Sequence, residues 1–186
     1  DQRQYAKAIT FGIMYQAGPA KVAETANISF VQAKQFINKY FREASNLKTW
    51  IERSNVFIEN HAYIYSEFGR KRRLPESKSP NKGVAKHAVR SGVNFLVQSV
   101  ASDINVLGLI DTMNWIQKNK YQKVMIPFTV VHDSIVAEVQ NDYIDEWVTN
   151  VQQFLQQPRG MEIHNCPIGV EFEVGSSWGE LDAYKI

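Results

Sequence analysis

The chain has 186 residues, 44% of them hydrophobic, enough to bury a sizeable core in an ordinary soluble domain. No apolar run is read as approaching 18 residues, so neither a membrane span nor a secretion signal is expected; the single Cys166 excludes an intramolecular disulfide and a cysteine-cluster metal site, and fits a reducing compartment. Net charge is only +2. Residues 1–131 carry 19 Lys and Arg against 9 Asp and Glu, and residues 132–186 carry 2 against 10, so the two parts are +10 and −8. That asymmetry predicts polyanion contact through the first part and carboxylates gathered in the second, although solvated faces give the same counts. Without an initiator Met, the chain reads as a fragment or excised domain.

Arg3, Lys7, Phe11 and Tyr15 recur every fourth residue, a step of about 40° around a helix, so they share one face. At about 1.5 Å per residue they span roughly 18 Å, the reach of a nucleoside triphosphate from phosphates to base. Ala6, Ile9 and Ile13 form an opposite apolar stripe for docking. An amphipathic helix with solvated cations is the competing reading. Asp1 is expected to cap this helix and Gly18-Pro19 to end it. A short helix over 20–26 follows. Ser29-Phe-Val-Gln32 reads as a capping box for a helix to about Arg42, with Ala33, Phe36, Ile37 and Tyr40 as its apolar face. A further helix over about 47–61 offers Trp50, Ile51, Val56 and Ile58 to the core. Residues 62–75 alternate around Gly69 as a hairpin with a cationic end, Arg70 to Arg73, and residues 76–83 read as a mobile loop.

Residues 84–119 are predicted helical with an interruption near Ser91-Gly92. Arg90, Asn94 and Gln98 share a face suited to donating to minor-groove acceptors, or simply form the polar side of a long helix. Residues 123–139 read as two apolar strands around His132-Asp133-Ser134; a carboxylate there needs an open turn or a cation, and a plain turn aspartate satisfies the same pattern. A His-Asp dyad also suits a metal phosphohydrolase of the HD type, but His61, His87 and His164 have no metal-ligand spacing. A helix over about 142–157, capped by Asn141 or Asp142, presents Ile144, Trp147, Val148, Val151 and Phe154, and a strand over 170–174 follows Pro158-Arg-Gly160.

Arg, three residues, Lys, three residues, Phe-Gly, two residues, Tyr resembles motif B of family A DNA polymerases, the bacterial polymerase I type. The His132-Asp133 hairpin resembles motif C, the Gly-Arg…Leu-Pro segment and the carboxy-terminal Gly-Ser-Ser-Trp-Gly resemble further family segments, and the likeness runs from Gln2 to about Trp178. It implies an α+β fold: helical fingers, then an antiparallel palm sheet with packed helices, the incomplete carboxy-terminal part of a right-hand polymerase. Residues 1–83 would be fingers helices and basic hairpin, and 84–186 the palm portion. By the same resemblance Arg3 holds the outer phosphates of a dNTP, Lys7 neutralises the leaving group as a candidate proton donor, Phe11 packs on the sugar and Tyr15 stacks near the templating base. Arg90, Asn94, Gln98 and His132 contact primer-template DNA, and Asp133 binds Mg²⁺ in a two-metal site. The usual Glu after the His-Asp pair is Ser134, a poorer cation ligand.

The family's other metal-binding aspartate, in motif A, precedes motif B and so is expected in an upstream part of the polymerase. The isolated chain should then synthesise little DNA, and its sheet should lack a strand and present an apolar edge. The implied setting is cytoplasmic, the nucleoid or a phage-infected host. A non-catalytic DNA-binding module on the same scaffold stays open as the alternative.

Overall fold

In the computed structural model, residues 2–161 and 167–185 are described, except for the side chains of residues 2–5 and Ala8. The expected cap Asp1, and His164 and Cys166, lie outside the described residues. The chain divides into two compact units, Asp1–Ser99 and Val100–Ile186.

The first unit opens with α1 (Gln2–Met14), α2 (Pro19–Ala26), α3 (Phe30–Glu43) and α4 (Ser45–His61). Gly18 and Pro19 do not end α1, which stops at Met14 ahead of a left-handed Gln16 (φ 61°); they open α2 instead. Gly18 is its extended N-cap and Pro19 takes the first turn, where a missing N–H costs nothing. The capping box of α3 is present: Ser29 Oγ accepts from the Gln32 N–H at 3.2 Å, and Gln32 Oε1 accepts from the Ser29 N–H at 3.0 Å. α4 ends at a left-handed Ala62, and Lys78 Nζ donates to the Glu59 and Asn60 carbonyls, groups with no partner inside the helix.

Two cores hold this unit. Ile13, Val22 and Ala33 are buried together, with Ile9, Ile37 and Tyr40 packed around them. Ile51, Ile58, Ile64, Leu74, Val89 and Val93 form the second. Trp50 and Val56, expected inside, are exposed, as is Phe36. The inward stripe of α4 is Ile51, Ser54 and Ile58 at steps of three and four; Val56 lies nearly opposite it, and Trp50 lies on its margin, about 40° from Ser54 and about 100° from Ile51. β1 (Tyr63–Tyr65) and β2 (Lys71–Arg73) pair antiparallel with Ile64 opposite Arg72, and a short 3-10 helix, Pro75–Lys78, occupies the start of the expected loop.

The helix α5 (Lys82–Asn119) runs without the interruption expected at Ser91-Gly92. Gly92 is there for packing: a Cβ would stand 2.5 Å from Ile58 Cδ1 and Leu74 Cδ1, so the absent side chain lets α5 lie close against that core. Contrary to the reading from composition, α5 is long and apolar enough to cross a membrane. Some of its apolar positions are buried inside the protein, Val89 and Val93 in a first-unit core and Ile116 in the second unit.

In the second unit β3 (Met125–Val131) and β4 (Ser134–Val139) form one antiparallel hairpin, and β5 (Phe172–Ser177) and β6 (Glu180–Tyr184) another. Between them in sequence, a 3-10 turn over Asn141–Tyr143 leads into α6 (Ile144–Leu155). Asn141 and Asp142 belong to that turn and do not cap α6, which has no side-chain cap. Trp147, Val148 and Val151 of α6 bury against Ile116 and Met125. The opposite face of β3 leaves Ile126 and Phe128 exposed, with Phe128 edge-on to Trp178 at 6.2 Å. The architecture is α+β, its strands arranged as three separate antiparallel pairs among the described residues.

Two measurements follow from this packing. A Cβ on Gly175 would overlap the Glu180 carbonyl oxygen, whereas one on Gly179 in the same hairpin meets nothing within 4 Å. Urea unfolding should therefore show Gly175→Ala destabilised by about 3 kcal/mol or more and Gly179→Ala within about 0.5 kcal/mol of the parent. Tyr184 Oη donates to Asp145 Oδ1 at 2.5 Å; this bond, then desolvation and the carboxylate charge, raise the phenol above its ordinary 10.0. The folded phenol thus holds its proton more tightly than the unfolded one, and this stabilisation is complete below pH 10.0 and fades as pH rises through the raised value. The stability advantage of the parent over Tyr184→Phe should shrink between pH 8 and pH 11; a constant difference would refute the linkage.

Candidate functional site

The outward face of α1 is built by what its other face buries. Ile13 is 1% exposed between α2 and α3 and Ile9 packs beside it, so residues a half-turn away must point to solvent. Lys7 and Phe11 are exposed there, with Lys7 Nζ 5.9 Å from the Phe11 ring centroid, and Phe11 stacks with Tyr15 at 6.3 Å and 16° between planes. Ala6, expected in the docked stripe, is exposed. Arg3 lies on α1, but its side chain is outside the described residues.

The position of this face is fixed by a pair that the sequence pattern did not single out. Gln16 Nε2 donates to Asn55 Oδ1 at 3.3 Å and Asn55 Nδ2 donates to Gln16 Oε1 at 3.0 Å, tying the chain just after α1 to the middle of α4. Two amides 39 residues apart carry no local signal of pairing. The continuous α5 keeps Arg90, Asn94 and Gln98 on one face. Arg90 and Asn94 are half-buried and Gln98 is exposed. Asn94 Oδ1 is buried without a hydrogen-bond partner.

In the second unit, His132 and Asp133 are the two turn residues between β3 and β4, both exposed, with His132 at φ 55°. Hairpin turns of two residues need such a left-handed position. Ser134 Oγ donates to the Val131 carbonyl at 2.9 Å, so its hydroxyl closes the turn. Asp133 is then a solvated carboxylate held at the tip of a rigid ladder. No group of three His, Cys, Asp or Glu side chains able to hold a metal occurs among the described residues. The donors present do not by themselves make a two-metal centre.

Residues 1–180 match the family model of DNA polymerase family A. The chain belongs to that family. Among family A relatives, the DNA polymerase of Escherichia phage T5 is 40% identical over 185 residues, covering 91% of this chain and 22% of its own. DNA polymerase I of Pseudomonas aeruginosa is 29% identical over 180 residues, covering 97% and 19%. The chain therefore spans about a fifth of the length of these curated relatives. Its fold resembles the POL domain of Pol1 from M. smegmatis, solved in complex with DNA primer-template and dNTP: TM-score 0.76 at 24% identity, over 83% of this chain and 27% of that one.

Removing one partner of the Gln16–Asn55 pair leaves a half-buried amide unsatisfied. Asn55→Leu and Gln16→Leu should each cost about 1–2 kcal/mol in urea unfolding, and the double variant less than their sum. Strict additivity would show that the pair does not hold the α1 region in place.

Proposed function

We propose that this chain is the nucleotide-binding and duplex-contacting part of a DNA-directed DNA polymerase, which adds deoxynucleotides from dNTPs to a primer 3′ end. The observation that carries the reading is the α1 face, where the exposed Lys7 and Phe11 are followed by Tyr15 stacked on Phe11, in a chain whose residues 1–180 match family A. A triphosphate needs a cation at its phosphates and an apolar surface for sugar and base, and Lys7 and Phe11 on α1 with Tyr15 in the turn just after it supply these in order. Arg3 extends the row by one turn and is assigned to the outer phosphates.

During synthesis the primer 3′ oxygen attacks the α-phosphate and pyrophosphate departs, so negative charge grows on the leaving group. Lys7 is assigned to neutralise that charge and to give the leaving group a proton. Phe11 packs on the sugar, where a 2′ hydroxyl meets an apolar surface, and Tyr15 stacks by the templating base. Arg90, Asn94 and Gln98 donate to minor-groove acceptors, which differ little among base pairs and so report pair shape without sequence. His132 contacts the primer end.

Mg²⁺, the divalent ion suited to this chemistry, supplies charge neutralisation at the reacting phosphate. Asp133 is assigned as one protein ligand for it, and the further carboxylate that a two-metal centre requires is assigned to a preceding part of the polymerase. The functional division proposed is a fingers portion, residues 1–83, and a palm portion, residues 84–186. The setting is the bacterial cytoplasm, including that of a phage-infected host.

Primer extension with Mg²⁺ and four dNTPs tests this reading, using the chain alone and mixed with the polypeptide that precedes it in the parent protein. Synthesis should appear in the mixture and fall by about 100-fold or more with Asp133→Ala or Lys7→Ala. Duplex binding without synthesis in either sample would instead identify a non-catalytic DNA-binding module.

A further inference from the structure

The outer face of the β1–β2 hairpin takes no part in the site described above. Alternation sends Ile64 into the core and turns Arg72 toward α5, where its Nη2 donates to Ser91 Oγ at 2.8 Å and its guanidinium lies 5.5 Å from the Phe95 centroid. The neighbours in register, Tyr63 with Arg73 and Tyr65 with Lys71, therefore face the other way. The turn is held by the Ser66 N–H on the Arg70 carbonyl and by the Gly69 N–H on the Ser66 carbonyl, with Gly69 at φ 77°.

On that outer face the rings form an unbroken row. Tyr65 and Tyr63 are 5.5 Å apart, Tyr63 lies 5.8 Å from His61 and 5.7 Å from Phe57, and His61 and Phe57 are 4.4 Å apart. Lys71 Nζ sits 3.8 Å from the Tyr63 centroid and 5.3 Å from that of Tyr65. Tyr65 at the end of the row is 49% exposed, Phe57, His61, Lys71 and Arg73 are exposed, and Tyr63 between them is half-buried. Neither Lys71 nor Arg73 is in an ion pair among the described residues. The hairpin's buried anchor is Ile64 on the opposite face, and Tyr65 is in no buried cluster.

We propose that this face is a stacking platform for single-stranded DNA. Every base offers a π-face to an aromatic side chain whatever its identity, while Lys71 and Arg73 neutralise the phosphates that run between stacked bases. A base-paired duplex has its π-faces already stacked and cannot use the row of rings. An acidic peptide uses the cations but leaves the rings unengaged. The choice of DNA over RNA rests on the polymerase reading, in which unpaired template is the single strand at hand.

The probe is a fluorescein-labelled oligothymidylate of about 12 nucleotides, within the range one small binding surface covers. Anisotropy is followed with the whole 186-residue chain, without primer, dNTP or Mg²⁺. Tyr65→Ala should weaken binding about tenfold, Tyr65→Phe should retain it, and neither should change affinity for a blunt duplex. Lys71→Ala should flatten the slope of log affinity against log salt by about 0.7. Circular dichroism of each variant checks that the fold is kept.

Affinity unchanged by Tyr65→Ala, an equal loss for duplex and single strand, or full competition by polyglutamate would each overturn the platform. If Tyr65→Ala weakens oligothymidylate binding while the reconstituted enzyme neither binds dNTP nor extends primers, the platform stands and the polymerase reading falls.

Discussion

The burial of Ile13 is the constraint on which the α1 face depends. A fully buried isoleucine contributes about 1.5–3 kcal/mol, and here that contribution also sets the rotation of α1 about its axis. With Ile13 and Ile9 turned toward α2 and α3, Lys7 and Phe11 are left exposed and Tyr15 half-buried. The Gln16–Asn55 amides then set how far α1 can slide along its neighbours, because two complementary hydrogen bonds tolerate little translation. Rotation is governed by apolar area and translation by polar geometry.

The same division of labour recurs in α5. Its apolar side chains enter a core in each unit, while Gly92 and Gly108 bring its backbone close to neighbours that any Cβ would displace: Ile58 and Leu74 at the first, Leu155 at the second. A glycine inside a helix normally weakens it by about 1 kcal/mol relative to alanine. Close packing offsets that cost, and an unbroken helix keeps Arg90, Asn94 and Gln98 in line. A kink at Ser91-Gly92 would have rotated Asn94 and Gln98 away from Arg90.

Much of this was legible from periodicity and caps. The Ser29–Gln32 box, the β3–β4 hairpin and the four-residue spacing on α1 are local signals, and local geometry decides them. The misreadings were tertiary in origin. Ser91-Gly92 has the composition of a break, yet the glycine answers to Ile58 and Leu74, which lie 34 and 18 residues away in the chain. Trp50 and Val56 are as apolar as Ile51 and Ile58, and only the packing partner of α4 decides which stripe is buried. Asn141 and Asp142 look like caps because their side chains favour turns, and a 3-10 turn satisfies that preference equally well.

The His132-Asp133 turn shows why one unit of the chain cannot be read as a complete reaction centre. A solvated carboxylate on a two-residue turn needs neither burial nor a partner to be stable, and the structure gives Asp133 neither. What the turn provides is direction: the paired strands hold the carboxylate at the tip of a ladder whose inner face is anchored by Met125 and Val139 on α6. Ser134, by closing the turn on the Val131 carbonyl, commits its hydroxyl to that scaffold and leaves Asp133 as the turn's one carboxylate. A carboxylate held without a counter-charge is costly only if it is desolvated, so an open tip holds Asp133 in a fixed direction without that cost.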